Sequence, residues 1–215
     1  MVLMKGYPNV HIIDHPMIRH KVAIIRDVKT DNKTFREVIT EITTMLAYEC
    51  LRNVPTEKVT VQTPFEKVEQ EKVKGDSIVI VPILRAGLGM VDGVFRLIPS
   101  AKVGHIGMKR NEKTLEPAEY YCNLPDGIAD QLVIVLDPML ATGGTSSAAI
   151  DMLRKKGCRD IRMMSVIASP EGLEKVAGDH PDVEIYVSAL DRCLNDKGYI
   201  LPGLGDAGDR IFGTE

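Results

Sequence analysis

The residues best suited to chemistry stand together between Gln131 and Ser147, in the sequence QLVIVLDPMLATGGTSS. Asp137 follows an apolar run, and four residues separate it from the turn 142–145. Two glycines in this turn allow the backbone to approach a ligand closely, and a helix that begins there favours an anion at its N-terminus. The threonine hydroxyls add donors, so the stretch predicts a phosphate-binding turn beside a carboxylate.

The elements that position this turn can also be predicted. Leu132 to Leu136 is short, apolar and rich in β-branched residues, which is typical of a strand buried on both faces of a parallel sheet. Thr145 to Lys156 is predicted to be the following helix. Asp137 would then lie at the carboxyl end of a strand, where open α/β sheets bind their ligands. The glycine spacing fits neither GxGxxG nor GxxxxGK[ST], which argues against a dinucleotide-binding fold and a P-loop NTPase. A glycine-rich turn without a ligand is the alternative.

A second apolar strand ends in a similar way. Ser77 to Val81 continues into PILRAGLGM, which brings Arg85, Gly87 and Gly89 to a strand end. Glycines beside a cation permit close approach of the backbone to an anion, so Arg85 is predicted to be a second anion contact. The alternative for Arg85 is a solvated surface cation.

Helices and strands are predicted to alternate along most of the chain. Apolar residues recur at helical spacing after Thr34, which forms a capping box with Glu37, so Thr34 to Arg52 is predicted to be one amphipathic helix. The other predicted elements are a hairpin of Val59 to Gln62 with Glu66 to Lys74, a helix from Met90 to Leu97, strands at Lys102 to Met108, Ile161 to Ala168 and Val183 to Ser188, and a short helix after the turn Ser169 to Gly172. This alternation predicts an α/β fold in which helices flank a central parallel sheet with right-handed crossovers.

Three stretches show little regular patterning. Lys109 to Asp130 is charged and contains two prolines, which predicts a long loop that serves as a lid or an interaction arm. For the charged residues Lys109 to Glu112 at its start, a solvated run of charges is the alternative. Tyr199 to Arg210 combines many glycines with apolar residues, a mixture that is unusual for a disordered tail. Near the N-terminus, His15 to Lys21 is predicted to be an extended segment followed by a short apolar-periodic piece.

The composition limits the class of protein. With 215 residues, 44% of them hydrophobic, the chain can bury the core of one domain, so we expect a single domain over 1–215. The net charge is −3 and the basic residues are scattered, which argues against a nucleic-acid partner. The four cysteines form no C-x-x-C pair, which argues against a zinc site and predicts a reducing compartment. Since no apolar run approaches the roughly 18 residues of a membrane span and no signal peptide is evident, we expect a cytoplasmic protein without a membrane partner.

Three motifs carry a resemblance to a known family. A strand, an acid and A-T-G-G-T resemble the phosphoribosyl diphosphate signature of the type I phosphoribosyltransferases, although Pro138 stands where the family usually has a second acid. The form DPMLATGGT, together with PILRAGLGM and the C-terminal YILPGLGDAGD, resembles the uracil phosphoribosyltransferases in particular. The motifs stand in the family's order, and the resemblance spans nearly the whole chain.

This resemblance implies a fold, a reaction and partners. The fold is a type I phosphoribosyltransferase core with a C-terminal hood, a β-arm, a long loop at 109–130 and a base-binding segment at 189–215. The reaction transfers the phosphoribosyl group of 5-phospho-α-D-ribose 1-diphosphate (PRPP) to uracil and gives uridine monophosphate (UMP) and diphosphate. Mg²⁺ would accompany PRPP and be held mainly through the diphosphate, without a protein metal site. A GTP effector and a homodimer or higher homo-oligomer are also expected from the family.

The resemblance also assigns roles to individual residues. The expected catalytic residues are Asp137, Arg110 and Asp206. The expected PRPP contacts are Arg85, Arg110, Asp137, Pro138, Met139, Leu140, Ala141, Thr142, Gly143, Gly144, Thr145 and Asp206. Uracil is expected to contact Ile200, Gly205, Asp206 and Ala207. No side-chain general base is evident in the sequence.

Two other functions compete with this interpretation. A regulator could keep the phosphoribosyl diphosphate fold and bind RNA or DNA instead, but such a protein would carry a basic face. A phosphoribosyltransferase for purines or orotate is disfavoured by Pro138 and by the pyrimidine-type C-terminal segment.

Overall fold

The centre of the protein is a mostly parallel sheet, seen in a computed structural model that describes residues 2–74, 77–110 and 117–214. Its strands are β1 (Val2–Met4), β2 (Tyr7–Ile12), β5 (Ile78–Leu84), β6 (Lys102–Val103), β7 (His105–Arg110), β8 (Pro117–Asn123), β9 (Leu132–Leu136), β10 (Met139–Leu140), β11 (Asp160–Ala168) and β12 (Glu184–Leu190). The main path runs β1-β2-β12-β11-β9-β5-β7-β8, while β10 pairs with β11 and β6 with β5. Neighbours from β2 to β7 run parallel, and β1 and β8 close the two edges antiparallel.

Helices cover both faces of this sheet. They are α1 (Pro16–Arg26), α2 (Asn32–Cys50), α3 (Leu88–Phe95), α4 (Gly144–Lys155), α5 (Pro170–Asp179) and α6 (Ala207–Phe212), with a 3-10 turn at Ile128–Asp130. Two small two-stranded sheets complete the fold, one of β3 (Thr56–Gln62) with β4 (Lys67–Val73) and one of β13 (Cys193–Leu194) with β14 (Ile200–Leu201). The predicted α/β fold with a central parallel sheet between helices is confirmed.

Alternation along the strands separates two apolar cores. Ile134 and Leu136 of β9 face a core with residues of α1, α2, α3 and α6, whereas Val133 and Val135 face a core with residues of α4 and α5. The strand β5 alternates in the same way. Because both faces are buried, these strands read as continuous apolar runs, which is why their positions could be predicted.

Helix α2 confirms a predicted helix but begins earlier than expected. The proposed capping box at Thr34 is wrong, because the N-cap is Asp31, whose carboxylate accepts hydrogen bonds from the Thr34 amide at 2.9 Å and the Thr34 hydroxyl at 3.0 Å. Asp, Ser and Thr can all cap a helix by accepting from its first amide groups, which have no partner within the helix. In α2 these amide groups donate to Asp31, three residues before Thr34.

The predicted loop at 109–130 contains regular structure. Pro117–Asn123 forms strand β8 and pairs antiparallel with β7, with Ile106 opposite Cys122. Residues 111–116 lie outside the described part of the chain. Strand β8 lies at the edge of the sheet, where proline and charged residues are tolerated, and such an edge strand has the composition of a loop.

Three other predictions need smaller corrections. The strand predicted at 102–108 is divided at Gly104 into β6 and β7. The extended segment predicted at His15 is the N-cap of α1, which is helical from Pro16 onward. The C-terminal stretch without periodicity contains β14 and α6, which are too short to leave a periodic signal. The predicted hairpin at 59–74 is confirmed as β3 and β4 and forms an arm whose residues are mostly exposed.

In the described ranges, no helix combines the length and the apolar content that crossing a membrane requires.

Candidate active site

A cavity of about 240 Å³ opens at the carboxyl ends of β5 and β9. These strands are parallel neighbours, with Val81 opposite Val135 and Pro82 opposite Leu136, so the residues that follow them meet at one edge. The lining residues are Ile83, Leu84, Arg85, Ala86, Asp137, Met139, Ala141, Thr142, Gly143, Thr145 and Ser146. The sheet therefore brings the predicted acid, the predicted cation and the glycine-rich turn to one cavity.

Asp137 is held in place by its backbone and its side chain. Its amide donates to the Met164 carbonyl at 3.2 Å, which continues the pairing of β9 with β11. One carboxylate oxygen accepts from the Met139 amide at 3.3 Å and the other from the Ser146 hydroxyl at 3.2 Å. Burial raises the pKa of Asp137 to about 6, although both hydrogen bonds oppose that shift because they stabilise the charged form.

Ser146 is a site residue that sequence reasoning missed. It is buried in the first turn of α4, and its hydroxyl reaches back to the carboxylate of Asp137. The available signal was its position, since the first turn of a helix that follows a strand must face the end of that strand. Ser146 fixes the orientation of Asp137 relative to the turn.

The turn 142–145 leads into an uncapped helix. Helix α4 begins at Gly144, and Gly143 at the N-cap has a positive φ of 77° and offers no side-chain cap. The first amide groups of a helix have no partner within it, so an uncapped N-terminus leaves donors for water or a ligand. Thr142 and Thr145 are exposed and line the cavity. The arrangement is suited to a phosphate.

Helix α5 supports this turn from behind. The Ser169 hydroxyl, which caps α5, donates to the Ala141 carbonyl at 2.6 Å. Gly172 lies so close that a Cβ there would be 2.3 Å from the same carbonyl oxygen. Helix α5 thus anchors the turn from the side of the sheet.

Two predicted PRPP contacts are placed behind the cavity lining. The Pro138 carbonyl accepts from the amides of Val166 and Ile167, each at 3.1 Å, and Pro138 is buried. Leu140 is 1% exposed and packs in the apolar core, with its backbone paired to Ala168. Both residues shape the DPML segment from the inside.

The segment after β5 places Arg85 at the cavity. The peptide bond between Leu84 and Arg85 is cis. Gly87 and Gly89 also serve packing, and the predicted approach of an anion to them stays a prediction. A Cβ at Gly87 would lie 2.4 Å from the Leu136 carbonyl oxygen, and one at Gly89 would lie 2.7 Å from Ile211 Cδ1. These glycines let the segment pack against β9 and α6.

The C-terminal segment meets the cavity through Met139. The Ala207 amide donates to the Met139 sulfur at 3.4 Å, a weak contact that a better acceptor could replace. Asp206 is the N-cap of α6, and its carboxylate accepts from the Asp209 amide at 3.0 Å. Ile200 is buried in β14, and Gly205 has a positive φ of 83°. The segment with the predicted base-binding residues therefore adjoins the cavity.

Arg110 is the last residue of β7. Strand β7 runs parallel to β5, with Leu84 opposite Gly107, so its carboxyl end lies at the same edge of the sheet as Arg85. The described residues include the backbone of Arg110 and stop there, because 111–116 lie outside them. The expected contact of the Arg110 side chain stays a prediction.

The donors near the cavity fit a metal that arrives with a substrate. Across 2–74, 77–110 and 117–214, no group of three or more His, Cys, Asp or Glu side chains could hold a metal ion. Mg²⁺ in proteins commonly binds substrate phosphates with one or two carboxylates and several waters. Asp137 in the cavity lining supplies one such carboxylate beside the phosphate-binding turn.

Comparison with known proteins agrees over most of the chain. The family model for uracil phosphoribosyltransferase matches residues 12–214. The chain is 54% identical to a uracil phosphoribosyltransferase of Thermoanaerobacter sp. (strain X514) over 209 residues, which covers 97% of this chain and 100% of the relative. The structure of the AQ2163 protein from Aquifex aeolicus matches with a TM-score of 0.91 at 41% identity, covering 96% of this chain and 99% of that one.

A more distant structure shares the fold alone. The adenine phosphoribosyl transferase from Trypanosoma brucei, solved with AMP, pyrophosphate and ribose-5-phosphate, matches with a TM-score of 0.61 at 13% identity and covers 96% of this chain and 92% of that one. Since a purine enzyme has the same fold, the choice of base must be argued from the C-terminal segment.

Proposed function

Because the chain belongs to the uracil phosphoribosyltransferase family, we propose that it transfers the phosphoribosyl group of PRPP to uracil and forms UMP and diphosphate. The observation that carries this proposal is the single cavity in which Asp137, Arg85 and the turn 142–145 meet. The segment 200–207 adjoins this cavity through the contact between Ala207 and Met139. The cavity suits PRPP, which carries an anionic group at each end, and the adjoining segment suits a neutral base.

The 5-phosphate of PRPP binds at the turn 142–145. The uncapped N-terminus of α4 supplies amide donors and the favourable end of the helix dipole, and Thr142 and Thr145 supply hydroxyls. The support of this turn by α5 keeps the donors in place before the ligand arrives. Binding then requires little ordering of the chain, which preserves affinity.

Asp137 orients the ribose. Its carboxylate lies in the cavity lining and accepts hydrogen bonds from donors on one side, the Met139 amide and the Ser146 hydroxyl. A carboxylate has lone pairs beyond these two contacts, so it can also accept from the ribose hydroxyls. The roles of Met139 and Ser146 are to keep the carboxylate aimed at the sugar.

Arg85 and Arg110 bind the diphosphate. Arg85 lines the cavity and Arg110 ends the neighbouring parallel strand β7, and guanidinium groups match phosphate oxygens through paired donors. Mg²⁺ bound with the donor would neutralise the negative charge that the leaving diphosphate gains. Asp137 would hold that ion, together with Asp206 when the C-terminal segment is in contact with the donor.

The segment 200–207 reads uracil through its backbone. Uracil presents an acceptor, a donor and an acceptor along one edge, which amide, carbonyl and amide groups of Ile200, Gly205 and Ala207 can match. The Ala207 amide is available for this role because its present acceptor is a thioether sulfur, which is a weak acceptor. Asp206, between two of these residues, faces the ribose or the diphosphate.

The reaction proceeds through a sugar with oxocarbenium character, as in glycoside hydrolysis. The main tasks of the protein are to stabilise the charge that develops on the leaving group and to exclude water that would hydrolyse PRPP. Arg85 serves the first task. The segment 200–207 and helix α6, which adjoin the cavity, serve to exclude water.

The organisation over 1–215 as one domain, with a base-binding segment at 189–215, is part of this proposal. A GTP effector and assembly into a homodimer or higher homo-oligomer stay predictions from the family. No observation on the described residues favours the alternative of a regulator that binds RNA or DNA.

The test is an assay of nucleotide formation by the purified protein. It is incubated with PRPP, Mg²⁺ and one of uracil, orotate or hypoxanthine, and the nucleotide and diphosphate are quantified. The proposal expects UMP and diphosphate in equal amounts with uracil and no comparable product with the other bases. Preferential use of orotate or hypoxanthine would show that the base has been assigned wrongly.

A further inference from the structure

The backbone of Gly203 lies inside the base-binding segment, and both its amide and its carbonyl are hydrogen-bonded to side chains. Its amide donates to the Asp191 carboxylate at 2.9 Å, and its carbonyl accepts from Arg26 Nη1 at 2.8 Å. Gly203 stands between Ile200 and Gly205, two of the residues proposed to read uracil. A constraint on the backbone of Gly203 therefore acts on the segment that joins these two residues.

Arg26 and Asp191 also bind each other. Arg26 Nη1 lies 2.8 Å from one carboxylate oxygen of Asp191, and Arg26 Nη2 contacts the other. The Asp191 side chain is only 2% exposed, and that of Arg26 is 24% exposed. A paired guanidinium and carboxylate in such a buried place have few alternative partners, so the backbone geometry at Gly203 is closely defined.

Both side chains are mounted on rigid elements. Arg26 is the last residue of α1, and Asp191 directly follows β12, where its amide donates to the Ala168 carbonyl at the end of β11. The base segment is thus fastened to the sheet through Asp191 and to α1 through Arg26. Neither residue belongs to the cavity that binds the donor.

A second arginine fastens the next carbonyl to the same helix end. Arg210 Nη1 donates to the Leu204 carbonyl at 2.8 Å and also contacts the Ile25 carbonyl, while Nη2 donates to the Asp27 carbonyl at 2.7 Å. The guanidinium lies 4.3 Å from the centre of the Phe35 ring. The carbonyls of Gly203 and Leu204 are therefore both tied to the C-terminal end of α1, where a cation is favoured.

We propose that Arg26 and Asp191 are positioning residues for uracil, which hold the Gly203 backbone so that the neighbouring backbone groups match the edge of the base. This inference rests on the proposed function. It assigns base affinity and base selectivity to a buried ion pair that touches neither substrate. The donor site has its own support from α5, so the two binding steps are expected to respond separately.

The first test is Arg26→Lys. Lysine keeps a cation beside the buried Asp191 but lacks the planar fork that reaches the carboxylate and the Gly203 carbonyl together. Arg154→Lys is the matched control, because Arg154 also bridges an aspartate, Asp182, and two carbonyls, of Cys158 and Arg159, and is 28% exposed. It lies at the end of α4, near the start of β11 and away from the base segment.

The expected result is a selective loss on the base side. In Arg26→Lys, kcat/KM for uracil falls by about tenfold or more and the preference for uracil over cytosine falls with it, because a charge-assisted hydrogen bond is lost. The KM for PRPP stays within about twofold of the unmodified protein, as for sites that share no partner. Arg154→Lys changes neither ratio. Thermal unfolding confirms that each variant is folded.

A second variant removes both side-chain hydrogen bonds to the Gly203 backbone without leaving an unpaired buried charge. Arg26→Met with Asp191→Leu replaces the pair by apolar side chains and is expected to give the same loss of uracil selectivity. Amide hydrogen exchange at 199–206 is expected to be faster in both variants than in Arg154→Lys. Unchanged uracil kinetics in a folded variant, or an equal rise of the KM for PRPP, would overturn the inference. Absence of uracil turnover in the unmodified protein would instead refute the proposed function, whereas hydrogen exchange would still report on the network.

Discussion

Arg85 Nη2 lies 3.4 Å from an Asp209 carboxylate oxygen, so the cation proposed to bind diphosphate is paired with helix α6. The same guanidinium lies 6.0 Å from the centre of the Phe212 ring. Arg85 is 59% exposed at its side chain, and an exposed ion pair of this kind contributes little to stability. The Asp209 carboxylate and a diphosphate would compete for the same donors.

This competition predicts that Asp209→Asn strengthens binding of PRPP. The change removes the charge but keeps the shape and an acceptor, so the structure of α6 should be retained. The KM for PRPP is expected to fall by about two- to fivefold, in line with the small energy of an exposed pair. Steady-state kinetics at low ionic strength measure the change. Asp182→Asn, which weakens the pair of Arg154 with Asp182, is the control and should leave the KM for PRPP unchanged. A higher KM in Asp209→Asn would mean that Asp209 assists the donor.

Asp137→Asn is expected to fold and to lose most turnover. The strand β9 is held by its apolar residues and backbone pairing, which do not depend on the charge, whereas orientation of the ribose does. The loss of kcat should be roughly 10²-fold or more, as for removal of a preorganised polar group. Asp160→Asn at the opposite end of the sheet is the control. Near-normal kcat in folded Asp137→Asn would remove the basis for the site.

The pH dependence follows from the same carboxyl group. Burial raises the pKa of Asp137 to about 6, so kcat/KM for PRPP is expected to fall as the pH drops through about 6, where the carboxylate becomes protonated. A pH profile measures this limb. Asp137→Asn should lack it, and a profile with the same limb in both proteins would assign the limb to another group.

The raised pKa of Asp137 also predicts how the stability of the fold changes with pH. The folded protein binds this proton more tightly than the unfolded chain, in which Asp137 has its ordinary pKa of 3.8, so the contribution of Asp137 to the free energy of unfolding decreases as the pH rises from about 4 to about 6. At pH 7, Asp137→Asn should therefore be more stable than the unmodified protein by on the order of 1–2 kcal/mol, after a discount for the partial exposure of the site. Denaturant unfolding at pH 7 and pH 4 measures the difference, which should shrink at the lower pH.

Local sequence patterns predicted the parts of the site that local structure positions. Asp137 and Arg85 follow strands buried on both faces, and such strands are visible as apolar runs whatever the rest of the chain does. The glycine-rich turn before α4 follows from the same local logic. Strand β8 could not be predicted in this way, because an edge strand with proline and charged residues reads as a loop.

Contacts between distant parts of the chain were beyond prediction. Arg26 and Asp191 are 165 positions apart, and neither stands in a motif that marks it as part of the base-binding segment. Gly89 also leaves room for Ile211, which approaches from the other end of the chain, and no local pattern indicated this contact. Such roles depend on which elements pack together, which a local pattern does not specify.

Gly205→Val is expected to abolish the use of uracil and to spare PRPP binding. Gly205 has a φ of 83°, which a β-branched residue adopts only with strain, although a Cβ there would find no atom closer than 3.6 Å. The control is Gly127→Val, at a φ of 71° with nothing within 4 Å of the added Cβ, because it introduces similar strain outside the site. Calorimetric titration with PRPP and a turnover assay test the two halves. If donor affinity falls as far as in Arg85→Ala, or if uracil is used normally, the base does not bind in this segment.

The ratio of kcat/KM for uracil to that for cytosine tests the central claim most directly, namely that backbone groups of Ile200, Gly205 and Ala207 read the base. Cytosine places an amino donor where an amide expects an acceptor and an unprotonated ring nitrogen where a carbonyl expects a donor. Two buried contacts are then mismatched, and sites of this kind reject such analogues by about 10⁴-fold. Steady-state assays with saturating PRPP and Mg²⁺ are expected to give a ratio of that order. A ratio of only about 10, which is typical of discrimination by shape alone, would contradict the assignment.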